Sequence, residues 1–125
     1  IALADLEADD WVQTSAESPC ARHVVRSCRA AGFEPNVTFE SDDYETIQGL
    51  VAAGVGVALI PHLALSQVRH GLVVRGLEPA NPVRTVVAAT PEGGAVAPSA
   101  GAMLDILRGI APDYADVRGW ATVSV

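Results

Sequence analysis

Residues 38–61, TFESDDYETIQGLVAAGVGVALIP, admit one reading as strand, helix and strand, and the rest of the chain has to accommodate it. Thr38 to Glu40 are extended-type residues. Ser41 or Asp42 is placed to cap the helix that follows, and Asp42-x-x-Glu45 has the spacing of a capping box. Tyr44, Ile47, Leu50 and Val51 fall on one helical face. Gly54 is where such a helix turns left-handed and stops, and Val55 to Ile60 is an apolar, β-branched run suited to a buried strand that ends at Pro61. Strand, helix and strand within about 24 residues predict a right-handed parallel βαβ unit. Ligands of such units sit at the carboxyl ends of the strands, beside helix N-termini. Ser41 and Asp42 lie at that end.

Upstream, residues 1–10 (IALADLEADD) read as a linker with short apolar contacts, and Trp11 to Gln13 as a short strand. Thr14 to Ser18 form a polar turn. Ser18-Pro19 is a helix start, a capping hydroxyl followed by proline at the first helical position. Ala21, Val24, Val25, Cys28 and Ala31 make the inward stripe, with Arg22, Arg26 and Arg29 on the wet face. Gly32 ends that helix and Val37 opens the next strand. Two strand-to-helix switches therefore point small hydroxyl residues at helix N-termini, and together they predict an anion-friendly rim.

Downstream of Pro61 the expectation is a short helical piece (HLALSQV), a strand at Leu72 to Val74, a turn at Pro79 to Pro82 and a second strand at Val83 to Ala89. A small-residue loop, Pro91 to Ala97, precedes a helix opened by Pro98. In it Ala102, Leu104, Ile106, Leu107 and Ile110 supply apolar contacts, and Gly109 or Pro112 sets the limit. The tail from Asp113 shows no usable period.

With half of its residues apolar, the chain has the material for a core. Eight basic against fifteen acidic residues give a net charge of −7, which repels a phosphate backbone, so this piece alone is not expected to bind nucleic acid. No window approaches the roughly 20 apolar residues of a membrane span. Cys20 and Cys28 are eight apart in one predicted helix, a rise of about 12 Å, too far for a disulfide and consistent with a reduced, cytoplasmic setting. Cys20 and His23 make only two ligands of a metal set, and His62 and His70 have no partner at a recognisable spacing, so neither metal nor cofactor is expected. Gly54-x-Gly56 follows a helix and opens a strand, the reverse of a phosphate cradle. No nucleophile, base and orienting acid assemble from local spacing, and an enzyme is not expected.

CRAAGFEP (Cys28 to Pro35) followed by VAAGVGVALIP (Val51 to Pro61) resembles the effector-binding domain of LysR-type transcriptional regulators. Trp11 in its strand, the strand Val37 to Glu40, and Arg84 to Thr90 followed by a helix from Ala97 to Arg108 fit the same pattern, so the resemblance covers about residues 3–110. It implies an α/β, periplasmic-binding-protein-like (type 2) domain of two lobes with a small effector between them, in a homo-oligomer (dimer or tetramer) that meets DNA only through an N-terminal winged helix-turn-helix. On this mapping residues 1–10 are the inter-lobe linker and 11–75 the complete second lobe. Residues 76–110 are the returning strand and last helix of the first lobe, and 111–125 a tail. The first half of the first lobe has no counterpart here, and the chain is expected to need further sequence, a partner copy or a swapped element to cover its apolar faces. The effector rim carried over by motif is Thr14, Ser15 and Ala16 with Glu40 and Ser41; Asp42 is left as a cap. Helix N-termini and hydroxyls favour an anionic effector. Peroxide-sensing members of the family place reactive cysteines in this helix region, which makes Cys20 and Cys28 a possible redox pair. A transporter's solute-binding protein shares the two-lobe architecture and is the alternative from another class.

Overall fold

The computed structural model describes residues 1–79, 82–83, 85–92, 96–115 and 120–124. In chain order the elements are β1 (Asp10–Gln13), α1 (Pro19–Ala30), β2 (Asn36–Glu40), α2 (Tyr44–Ala52), β3 (Ala58–Pro61), β4 (Val73–Gly76), α3 (Pro98–Ala115) and β5 (Trp120–Ser124). Single 3-10 turns occupy Leu3–Leu6 and His62–Ala64.

β1 is the organising strand. It pairs in parallel with β2, Trp11 opposite Val37, with a register shift between Trp11 and Val12. On its other edge Val12 donates its N–H to Val57 O at 2.9 Å, and Val57 donates to Asp10 O at 2.8 Å. The chain leading into β3 therefore lies across β1 from β2. The expected unit of strand, helix and strand is present, but its two strands are separated by β1 instead of being neighbours. The α1 crossover moves one way along the sheet and the α2 crossover moves back, so right-handed connections put the two helices on opposite faces.

The side chains follow that geometry, because successive strand residues point to opposite faces. On one face Trp11, Val57 and Leu59 pack with Val24 and Cys28 of α1 and with Leu6, Phe33 and Leu77. On the other, Val12, Ala58 and Ile60 pack with Ile47 and Val51 of α2. Trp11 is fully buried, its ring centroid 6.0 Å from that of Phe33, and its indole N–H donates to Leu6 O at 3.3 Å. Removing such a side chain costs about 3–5 kcal/mol. Residues 1–10 are tied down at both ends: Glu78 N donates to Ile1 O at 2.9 Å and Ile1 N to Gly76 O at 3.2 Å, while at the far end Asp10 O accepts from Val57 N.

Both helices of this unit stop where a left-handed glycine follows, Gly32 at φ 102° and Gly54 at φ 77°. Gly56 serves a different need. A Cβ there would stand 2.2 Å from Asp10 O, inside the contact that joins β1 to the β3 segment. After β3, Gln48 of α2, 3% exposed, holds the following loop by donating to Gln67 O at 3.2 Å and accepting from Arg69 N at 2.8 Å.

Four expectations are corrected here. Only one 3-10 turn forms within HLALSQV. Val83 to Ala89 is not a strand at its described residues; Arg84 lies outside them, and Val83, Val86 and Val87 are 71%, 69% and 77% exposed. The last helix is not limited by Gly109 or Pro112 but runs through to Ala115, giving up the one backbone hydrogen bond that proline cannot donate. Of its predicted contacts only Leu104 is half-buried, while Ile106, Leu107 and Ile110 are exposed. The tail supplies β5, the middle strand of an antiparallel sheet ordered β3-β5-β4, with Ala58 opposite Val123 and Val73 opposite Ser124. Among the described residues no helix is long and apolar enough to cross a membrane.

Gly56→Ala forces the β1 backbone aside and is expected to cost about 3 kcal/mol, the upper part of the range for overpacked sites. Gly101→Ala, whose added Cβ meets nothing within 4 Å in the first turn of α3, is expected to be neutral or to raise stability by up to about 1 kcal/mol. Urea midpoints of the two variants check the contrast.

Candidate functional site

β1 and β2 end side by side, and the loops that leave them meet. Ser41 N donates to Gln13 O at 3.0 Å, one step beyond the ladder. After Gln13 the chain turns tightly, with Ser18 N donating to Ser15 O at 2.8 Å, and enters α1. Ser18 caps that helix as expected: its Oγ accepts from Ala21 N at 2.9 Å and lies 2.6 Å from Thr14 Oγ1, and Pro19 follows at the first position.

The second helix is capped one residue later than Ser41 or Asp42. Asp43 is the N-cap, accepting from Glu45 N at 3.4 Å and, through its other oxygen, from Thr46 N at 2.8 Å and Thr46 Oγ1 at 2.6 Å. Ser41 Oγ accepts from Asp43 N at 3.3 Å instead. The Thr46 hydroxyl, then the Thr46 and Glu45 amides, hold the Asp43 carboxyl below its ordinary range. Neither of the two caps expected from the sequence, Ser41 or Asp42, caps the helix, and the capping box expected at Asp42-x-x-Glu45 is not formed; Asp43 takes the cap position.

Asp42, freed from capping, reaches across the gap. Its Oδ1 accepts from Ser15 N at 3.2 Å, and Glu40 Oε2 accepts from Ala16 N at 3.2 Å. The structure thus brings together all five residues expected at the rim: Thr14, Ser15 and Ala16 from one loop, Glu40 and Ser41 from the other. Thr14 is buried, Ser15 and Ser41 are half-buried, and Ala16 and Glu40 are exposed. It also shows what the sequence reading missed. The amides at the first loop are already satisfied by carboxylates of the second, and Asp42 is one of the two that span it. Two features were legible in principle: three acidic residues between Glu40 and Asp43, and a turn with unpaired amides facing them.

The cysteines occupy different environments. Cys28 is fully buried against Trp11 and Phe33, and its thiol is pushed up to about 12, first by burial and then by the Glu34 charge. Such a thiol is inert as a nucleophile at neutral pH. Cys20 is half-buried, and neither cysteine is in a disulfide. Among the described residues no three His, Cys, Asp or Glu side chains are grouped to hold a metal ion.

Comparison with known proteins matches residues 1–111 to the family described as LysR substrate binding domain. The transcriptional dual regulator GltC of Bacillus subtilis (strain 168) is 33% identical over 99 residues, which are 78% of this chain and 33% of that protein. The HTH-type transcriptional regulator AlsR of the same organism is 40% identical over 40 residues, 32% of this chain and 13% of that protein. The hydrogen peroxide-inducible genes activator of Dickeya chrysanthemi is 29% identical over 89 residues, 69% of this chain and 29% of that protein. The chain therefore spans a third or less of the length of these relatives. No solved structure matches.

Two expectations arise from this geometry. Because the Asp43 carboxyl is depressed in the folded chain, its stabilising contribution is present above the ordinary carboxylate range and is lost as pH falls through the folded value. Asp43→Ala should lower the urea midpoint at pH 7, and the difference from the parent chain should vanish on acidification. Iodoacetamide at pH 7.5 should alkylate Cys20 in the native chain and reach Cys28 only after unfolding, as peptide mass spectrometry reads directly.

Proposed function

The chain belongs to the family of LysR substrate-binding domains, and on that premise we propose that it is the ligand-sensing portion of a LysR-type transcriptional regulator, binding a small effector where β1 and β2 end. The observation that carries this reading is the junction of the two loops. Ser15 and Ala16 face Glu40, Ser41 and Asp42 at the carboxyl ends of adjacent parallel strands, where open α/β sheets hold their ligands. Residues 11–75, with β5 inserted between β3 and β4, then make one lobe, residues 1–10 are its crossing from the other, and residues from 76 to 110 lead into that other lobe, whose remainder closes the cleft.

The hydrogen bonds refine the expected effector. An anionic group approaching the Ser15 and Ala16 amides has to displace Asp42 and Glu40, and those carboxylates must then find donors. A small molecule carrying an anionic group together with hydrogen-bond donors satisfies both sides of the exchange; a bare anion leaves two carboxylates beside it and is disfavoured. The exchange itself is a two-state element. Loops tied to one another in the free state and tied through the ligand in the bound state give the ligand different affinities for the two, as a population shift requires. In the whole regulator that shift would act on a winged helix-turn-helix in an oligomer, dimer or tetramer. The acidic chain is poorly suited to touch DNA itself.

A thermal-shift screen of small carboxylates and amino acids on the full-length regulator tests this reading. A hit should lose at least about tenfold in affinity in Ser15→Ala and in Ser41→Ala, since each removes a hydroxyl from the site. A hit whose affinity is unchanged in both variants places the effector elsewhere.

A further inference from the structure

A second site stands out on the outer side of α1, by the basis of its charge. The chain has eight basic residues against fifteen acidic ones, so most guanidinium groups should find a carboxylate. Arg29 does, donating Nε and Nη2 to Glu34 at 2.6 and 2.8 Å, and Arg108 pairs with Asp105 at 3.0 Å. Arg22 and Arg26 have no carboxylate within 4.0 Å among the described residues. Both nevertheless stand in fixed positions. Arg22 Nη1 donates to Glu17 O, and Arg26 Nη2 donates to His23 Nδ1 at 3.1 Å. The three residues, at spacings of one, three and four along the helix, form one stripe.

That stripe lines a groove of about 510 Å³ together with Gln13 and Ala16. Gln13 is the last residue of β1 and only 6% exposed, and its side-chain Oε1 is buried with no hydrogen-bond partner. A buried amide oxygen left unpaired costs about 1–3 kcal/mol, and nothing in the packing of β1 accounts for it. A groove with two uncompensated guanidiniums already held in place and a buried amide in its lining has the parts of an anion site.

We propose that this groove binds a small oxyanion that also carries a hydroxyl group, a protonated phosphate or a hydroxycarboxylate, with Arg22 and Arg26 taking its charge and Gln13 Oε1 accepting a hydrogen bond from the hydroxyl. The site is distinct from the loop junction at Ser15 and Ser41, whose amides face carboxylates, and it does not rest on the effector reading. Arg29 contributes little, because Glu34 already neutralises it.

The test is a titration of the full 125-residue chain, isotope-labelled, with inorganic phosphate and separately with citrate, followed by magnetic resonance of the Gln13 side-chain amide and the Arg22 and Arg26 Nε–H groups. Sodium chloride at matched ionic strength is the control. Saturable shifts of these resonances by either anion are expected, weakened at least about tenfold in the double variant Arg22→Gln/Arg26→Gln and unchanged in Arg108→Gln. The Trp11 indole N–H, bonded inside the core, reports an intact fold in each variant. Saturation by phosphate alone or by citrate alone assigns the anion class. Shifts that track ionic strength equally in chloride, or a double variant that binds as tightly as the parent, overturn the proposal.

Discussion

The unit built around β1 depends on how closely two backbones approach each other at Gly56. The exchange of hydrogen bonds between Asp10, Val12 and Val57 attaches the β3 segment to β1. That attachment leaves no room for a side chain at the residue before Val57. Because β1 thereby has a parallel neighbour on each side, both of its faces are covered by crossover helices, and Trp11 and Val12 are both fully buried although they point in opposite directions. The position of the site follows from the same fact. The strand order turns around at β1, and a sheet whose connections diverge there opens a crevice at the carboxyl ends, where the loops after Gln13 and Glu40 meet.

The sequence spoke clearly wherever local chemistry and packing agreed. Ser18-Pro19, Gly32 and Gly54 marked helix ends that the structure places as read; loop position pointed to the two corners of the rim, and the family resemblance supplied its residues. It was silent where the deciding interaction is nonlocal. Residues 41 and 42 read as the cap, and the start of α2 at Tyr44 moves it to Asp43. Nothing in residues 55–61 says which strand they join. The tail's strand was missed for the same reason, because β5 forms only by lying between β3 and β4, which are far from it in the chain. Val83 to Ala89 fails in the opposite direction. Its pattern is that of a strand, but a pattern without a partner edge does not make one.

The apolar surface is divided unequally in consequence. Residues 6–61 enclose two cores, whereas the described side chains of α3 are exposed except at Gly101 and Leu104. Met103, Ile106, Leu107, Ile110 and Tyr114 recur at helical spacing along it and are between 43% and 58% exposed. A stripe of that kind on an 18-residue helix is the imprint of a packing surface. It agrees with a chain that spans a third or less of its relatives' length.

Charge is what separates the two ends of α1 chemically. At its N-terminus the exposed amides before the helix meet Glu40 and Asp42, so the electropositive end of the helix is spent on the chain's own acids. Along its outer face, within one and two turns of that point, Arg22 and Arg26 remain uncompensated in a chain of net charge −7. Ala16 belongs to both, its amide bonded to Glu40 and its side chain lining the basic groove. An effector that displaced Glu40 as proposed would therefore change the field beside the groove. Loss of a hydrogen bond to Ala16 also loosens the turn on which Gln13 and Arg22 are mounted. Any anion held by the arginines would feel both effects, and by linkage its own binding would bias the carboxylate exchange to the same extent.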